Sequence, residues 1–344
     1  MEQQKGENFA LFQDNFIIFA PWYMTTNCFM EYIYLLICLG VIAVSANWLV
    51  AGAVTIAKRF KISDFVIGAV IVGVGTSFPE LVVSCIGAIK GNPNIAIGNV
   101  IGSNVFNVLA ILGLTTVITP VVVSRENRRF DIPFGIGLSV LTLLLVYNFF
   151  AGGNPEIGHI DGLILLALFV LFMFLSLKNG KNNQNTVSNE VISNKQLSLG
   201  IGKVVLGLVA LIVSSDFFLD CAIIIAKAWN VSDAFISITL VACGTSLPEL
   251  AAAIAAASKK NTQLALGNII GSNIFNLALI LGTASQITPL TKSGITEIDY
   301  AVMIFAATIP LLLGIKGKLN RWSGLFLCLC FAAYNIFLLY TKTH

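Results

Sequence analysis

Gly75-Thr76-Ser77-Phe78-Pro79-Glu80 and Gly244-Thr245-Ser246-Leu247-Pro248-Glu249 are one phrase written twice, 169 residues apart, each inside an apolar run of membrane-crossing length. An acid in hydrocarbon costs a few kcal/mol, so a glutamate there marks a functional site by default. The proline beside it has no N–H, and its ring clashes with the carbonyl four residues back. Pro79 therefore frees the Gly75 carbonyl and loosens that of Thr76, and Gly73 and Gly75 make local unwinding cheap. Pro248 acts in the same way on Gly244 and Thr245. A proline kink with a back-bonding threonine is the plain alternative for one copy. Two copies, each followed by a glutamate, point to a duplicated acid-plus-carbonyl site on a cation pathway.

The composition sets the class. Of 344 residues 57% are hydrophobic and only 11% charged, against roughly 25% charged in soluble domains. Mean hydropathy is +0.88. The expected fold is an all-α polytopic membrane protein. No clustered basic face supports nucleic-acid binding. Seven cysteines (28, 38, 85, 221, 243, 328 and 330) form no CxxC pair and read as buried apolar residues rather than a disulfide or zinc framework. The two histidines, His159 in a loop and His344 at the end, exclude histidine catalysis within the membrane.

Spans of about 20 apolar residues fall at 32–57, 65–89, 95–118, 132–150, 160–177, 199–226, 234–258, 264–287, 298–315 and 322–340. That predicts ten transmembrane helices, five per half. The organisation read from this is an N-terminal extension at 1–30, a first repeat at 31–177, a polar cytoplasmic linker at 178–198 and a second repeat at 199–344. Residues 1–15 are polar and make no ordinary signal peptide. Met30 is the expected natural start, and native peptides from 1–29 would overturn that. The halves align without a gap: Asn47 with Asp216, Ser63-Asp64 with Ser232-Asp233, Gly98-Asn99 with Gly267-Asn268, Gly102-Ser103-Asn104 with Gly271-Ser272-Asn273, and Phe106-Asn107 with Phe275-Asn276. Because five is odd, matched spans must cross in opposite directions, giving two inverted five-helix repeats, a transporter architecture with its site at the midplane. Placing both termini outside, extracellular or periplasmic, leaves 15 Lys and Arg in the inner loops and 5 in the outer ones. That is the positive-inside bias of a multi-pass protein of the cell (inner) membrane.

The spans that hold Glu80 and Glu249 contain no interior Lys, Arg or His, and neither do the third and eighth spans. The acids are therefore either protonated or neutralised by a bound cation. Asn99, Ser103 and Asn107 lie four apart on one helical stripe, repeated by Asn268, Ser272 and Asn276. Asn107 and Asn276 read as ligands. Asn99, Asn104, Asn268 and Asn273 read more readily as braces between helices. Gly98 with Gly102, and Gly267 with Gly271, are small-residue pairs that let another helix approach. Two carboxylates, loosened carbonyls, hydroxyls and amides suit calcium, which takes about 6–8 oxygens in flexible geometry. Without Cys or His beside the acids, zinc, copper and iron do not fit.

With GTSxPE and GNxIGSNxFN each present twice, the chain resembles the calcium/cation antiporter family, and within it the sodium/calcium exchangers, over about 31–340. The resemblance implies exchange of sodium for calcium by a transporter, not an enzyme, with the ions as cargo, the lipid bilayer as surroundings, and no cofactor, nucleic acid or protein partner. It implies Glu80 and Glu249 as central shared ligands. Thr76, Ser77, Thr245 and Ser246 would line the sites through hydroxyls or carbonyls, and Ser103, Ser272, Asn107 and Asn276 would complete them. The long first and sixth spans would be a sliding gate. Some relatives carry Asp where this chain has Asn276, an acid associated with potassium dependence, so Asn at both positions argues against potassium. The proton-coupled branch shows a different motif, GNxxE. Asp216 and Asp220 are expected to face water in the gate, and Asp64 and Asp233 to be helix N-caps. The linker leaves no room for the regulatory loop of animal exchangers. A cation/proton antiporter stays open as the nearest alternative, and a passive channel as a rival of another class. An intramembrane hydrolase would need a Ser–His pair or paired aspartates that the spans do not offer.

Overall fold

The computed structural model describes residues 28–91, 93–149, 156–182, 192–228, 244–291 and 295–343. Among these the chain is helical apart from two short β-ribbons. Helix α1 is Cys28–Phe60. Helix α2 runs from Asp64–Ile67 through a π-helical turn, Gly68–Gly73, to Val74–Thr76, and α3 is Phe78–Ile89. Helix α4 joins Asn94–Val105, a π-helical turn Phe106–Leu112, and Gly113–Ile118. Next come α5, entered by a π-turn at Asn127–Asp131 and continuing as Ile132–Val146, α6 at His159–Asn182 and α7 at Asn194–Ala228. Helix α8 is Leu247–Ser258. Helix α9 joins Thr262–Ile274, a π-turn Phe275–Ile280, and Leu281–Ile287. Helices α10 and α11 are Glu297–Leu313 and Arg321–Thr343.

Seven of these, α1, α4, α5, α6, α7, α9 and α11, are long and apolar enough to cross a membrane, and the pair α2–α3, bent by 45°, supplies an eighth. Helix α10 is shorter, at 17 residues. The expected span at 234–258 is described only from Gly244, and residues 1–27 of the expected extension lie outside the described residues. Within the expected linker, α6 continues to Asn182 and α7 begins at Asn194. His159, expected in a loop, is the first residue of α6. Among the described residues Cys38, Cys85, Cys221, Cys328 and Cys330 are free thiols.

Burial sorts the helices. Of the apolar stretch in α9, 89% is buried, and 72% in α4, against 22% in α6 and 11% in α11. The outer helices turn Leu36, Ile37, Leu163, Val170, Leu206, Leu329 and Ile336 outward. An apolar belt of that extent needs lipid against it. The buried helices meet at glycines. A methyl group on Gly267 would sit 2.0 Å from the Phe65 carbonyl oxygen, and one on Gly271 would sit 2.4 Å from the Ala69 Cα, so α9 lies backbone to backbone on α2. Gly113 of α4 faces Gly324 of α11, and Gly282 of α9 faces Gly162 of α6. Without side chains, helices approach closely and gain dispersion that lipid cannot match.

The ribbons tie the halves together. Strand β1, Val121–Val122, pairs antiparallel with β4, Lys318–Leu319, with Val121 opposite Leu319. Strand β2, Glu156–Ile157, pairs with β3, Leu290–Thr291, with Ile157 opposite Leu290. In each ribbon the segment after a central helix, α4 or α9, meets the segment before an outer helix of the other half.

Candidate cation site

Helix α2 ends at Thr76, Ser77 leaves the helical region (φ −83°, ψ 9°), and α3 restarts with Pro79 in its first turn. Proline suits a helix start and spoils a helix interior, which accounts for the break and its 45° bend. Ser246 (φ −94°, ψ 10°) and Pro248 repeat the break before α8. Each glutamate thus stands in the first turn of a restarted helix, where N–H groups and the macrodipole favour a negative charge.

Glu80 and Glu249 are 1% and 0% exposed. They are held crosswise. The Ser77 hydroxyl donates to Glu249 Oε1 at 2.7 Å, and the Ser246 hydroxyl donates to Glu80 Oε1 at 3.0 Å. The amide of Asn99 donates to the Glu80 backbone carbonyl at 3.2 Å and to Ser84 Oγ at 3.1 Å, and that of Asn268 donates to the Glu249 carbonyl at 3.2 Å. The asparagines of the stripe therefore fix the turns that carry the acids.

The second carboxylate oxygen of each glutamate, Oε2, is buried without a donor. Ser103 Oγ, Asn107 Oδ1, Asn276 Oδ1 and Thr245 Oγ1 share that condition. These six oxygens belong to residues expected at the site; the hydroxyls of Thr115, Thr116, Thr142, Ser176, Ser215 and Tyr300, outside it, are likewise buried without a hydrogen-bond partner. Leaving a buried polar atom unpartnered costs about 1–3 kcal/mol, more for a charged group. Two carboxylates and further donor-free oxygens, with no Lys, Arg or His anywhere in 64–89, 94–118, 244–258 or 262–287, are the kind of groups a hard cation takes as ligands. Among the described residues no three of His, Cys, Asp and Glu cluster as a metal site.

Two hydroxyls of the expected set also donate to backbone carbonyls. Thr76 Oγ1 donates to the Val72 carbonyl at 2.9 Å, the back-bonding a threonine makes in a helix, and Ser272 Oγ donates to the Gly73 carbonyl at 3.3 Å. The π-turns start at Phe106 and Phe275, one residue before Asn107 and Asn276, and such turns concentrate at functional sites.

Asp64 is not the N-cap of α2. Ser63, extended at φ −63° and ψ 147°, caps it by accepting from the Val66 N–H, while Asp64 accepts from the Asn261 amide at 3.1 Å. Two capping residues stand side by side, and the hydroxyl one position earlier has the reach. Asp233 lies outside the described residues. On α7, Asp216 is exposed and Asp220 half-buried, and neither is a hydrogen-bond partner of Glu80 or Glu249.

The sequence profile of the sodium/calcium exchanger protein family matches residues 30–178 and 199–340. An uncharacterized membrane protein of Methanocaldococcus jannaschii, MJ0091, is 34% identical over 298 residues, covering 86% of this chain and 94% of that protein. Sodium/calcium exchanger MaX1 of Methanosarcina acetivorans is 30% identical, covering 90% and 99%. Among solved structures, the sodium-calcium exchanger NCX_Mj soaked with 2.5 mM Na+ and 0.1 mM Ca2+ superposes with a TM-score of 0.77 at 30% identity, covering 89% of this chain and 97% of that one.

Proposed function

This chain belongs to the sodium/calcium exchanger family of membrane transporters, and from that premise we propose that it is a secondary antiporter exchanging sodium for calcium by alternating access. Ten spans in two inverted five-helix repeats carry the site at the midplane. The crosswise bonds between Ser77 and Glu249 and between Ser246 and Glu80 support that architecture, since they join matched positions of the two halves. The charge distribution supports both termini outside the cell membrane.

The observation that carries the proposal is the set of buried, donor-free oxygens on Glu80, Glu249, Ser103, Asn107, Asn276 and Thr245. Thr76, Ser77, Ser246 and Ser272 complete the lining. Two carboxylates match the charge of one calcium ion, and sodium competes with calcium for overlapping sites around them. Empty, they are two buried like charges, and the gate formed by α1 and α7 moves mainly when cations cancel them. That dependence couples inward and outward transport and suppresses leak.

The test is calcium uptake into sodium-loaded liposomes. Wild-type protein takes up calcium down the opposing sodium gradient, and Glu80→Gln or Glu249→Gln abolishes uptake. Wild-type rates in either variant overturn the assignment of the site. Uptake driven by a pH gradient without sodium transfers the coupling to protons, and flux without any counter-gradient makes the protein a channel.

A further inference from the structure

An asparagine has two unlike ends. Its carbonyl oxygen binds a cation, and its NH2 group repels one. A neutral amide in an ion site is useful only if something decides which end faces the ion. Asn107 and Asn276 are 1% and 0% exposed. The NH2 of Asn107 donates to Asn273 Oδ1 at 3.0 Å, and the NH2 of Asn276 donates to Asn104 Oδ1 at 3.1 Å. The two acceptors are themselves fixed. The NH2 of Asn104 donates to the Asn273 backbone carbonyl at 3.3 Å, and the NH2 of Asn273 donates to the Asn104 backbone carbonyl at 3.3 Å. Reversing Asn104 would set NH2 against the NH2 of Asn276 and would forfeit its own bond to the backbone. The circuit closes on itself across the two halves. It leaves Asn107 Oδ1 and Asn276 Oδ1 buried and without donors.

We infer that Asn104 and Asn273 are positioning residues that hold the Asn276 and Asn107 amides oxygen-first toward the transported cation. The inference rests on the site reading above and adds a specific wiring. Asn104 governs Asn276, and Asn273 governs Asn107. A carboxylate in place of either governed amide would have no wrong end. The lock therefore matters because this chain uses neutral ligands at both positions.

The wiring sets the experiment, which is calcium binding to the purified protein by radioisotope, with thermal stability measured alongside. Asn104→Leu frees the Asn276 amide to reverse, and its affinity for calcium falls on the order of tenfold. Adding Asn276→Asp to Asn104→Leu restores affinity to within about threefold of wild type, because both ends of a carboxylate are oxygen. Adding Asn107→Asp instead does not. Both double variants bring one more negative charge to the same site, so the difference between them reports wiring and not charge. In Asn273→Leu the pairing reverses, with Asn107→Asp rescuing and Asn276→Asp failing. Equal rescue by both acids, or wild-type affinity in Asn104→Leu, overturns the inference while leaving the site reading in place. Should Asn104→Leu not fold, Asn104→Ala carries the same rescue test: Asn276→Asp restores its affinity and Asn107→Asp does not, and equal rescue by both overturns the inference. Wild-type binding by Glu80→Gln overturns the site reading itself, and the wiring with it.

Discussion

The serine that follows the threonine in each GTS phrase serves the glutamate of the other phrase. Ser77 donates to Glu249 and Ser246 to Glu80, while no such bond joins Ser77 to its own neighbour Glu80. Hydrogen bonds to charged groups contribute about 1.5–3 kcal/mol, and contacting residues depart from additivity where distant ones do not. In ion-free protein, Ser77→Ala and Glu249→Gln should therefore couple, with a double-mutant cycle of unfolding stability returning about 1 kcal/mol or more. Ser77→Ala combined with Glu80→Gln should couple more weakly than that pair, since Ser77 makes no bond to Glu80. The opposite pattern would mean that the serines serve the nearer acid. The sequence made both glutamates legible, because an acid in an apolar run is conspicuous and its repetition rules out accident. It could not show who bonds to whom. A repeat declares Ser77 equivalent to Ser246 and is silent on which acid each one reaches. The N-cap shows the same limit at shorter range, since Ser63 and Asp64 are both capping residues and only the backbone angle selects the serine.

At the scale of the helix, the break after Thr76 was legible and the π-turns were not. Proline announces a break by what it lacks. A π-turn changes which carbonyl each N–H reaches, and leaves no mark in composition or spacing. The approach of α9 to α2 falls between the two. Gly267 and Gly271 advertise a close contact, but their partners, the Phe65 carbonyl and Ala69 Cα, emerge only in the fold. Those partners are main-chain atoms or beside them and cannot swing away as a long side chain could. Gly267→Ala and Gly271→Ala should each lower stability by about 1–3 kcal/mol or more, as overpacked cores do. Gly137, exposed on α5 with open space around it, gives the contrast. There alanine should be neutral or stabilising by up to about 1 kcal/mol, the helix preference of alanine over glycine. Thermal unfolding of the three variants decides it. A Gly267→Ala protein as stable as wild type would mean that α2 can retreat from α9 without loss.

On the scale of the molecule, α1 and α7 are, among the described residues, packed chiefly on each other. Their contact is made of small residues, with Gly52 against the Gly200 carbonyl and Val204, and Gly207 against Leu49 and the Ser45 carbonyl. Toward the core, α7 presents two leucines to the two site phrases. Leu208 covers Gly75, where an added methyl would meet its side chain at 2.7 Å, and Leu219 covers Gly244 at 2.4 Å. One helix thus rests on both breaks, while the glycines keep those resting places smooth. If α1 and α7 slide as a pair over the core, a bond between α7 and the core must stop exchange, and a bond within the pair must not. Disulfides form when Cβ atoms stand about 3.5–4.5 Å apart, and the would-be Cβ of Gly75 is 3.3 Å from Leu208 Cγ, one bond beyond the Leu208 Cβ. The pair within the gate is Gly52 and Val204, whose Cγ2 lies 2.8 Å from the same construction. In a background with the seven native cysteines replaced, oxidised Gly75→Cys/Leu208→Cys should lose sodium-driven calcium uptake and regain it with reductant. Oxidised Gly52→Cys/Val204→Cys should transport throughout. Arrest by the second bond would mean that α1 and α7 move against each other, and continued exchange with the first would remove α7 from the gate.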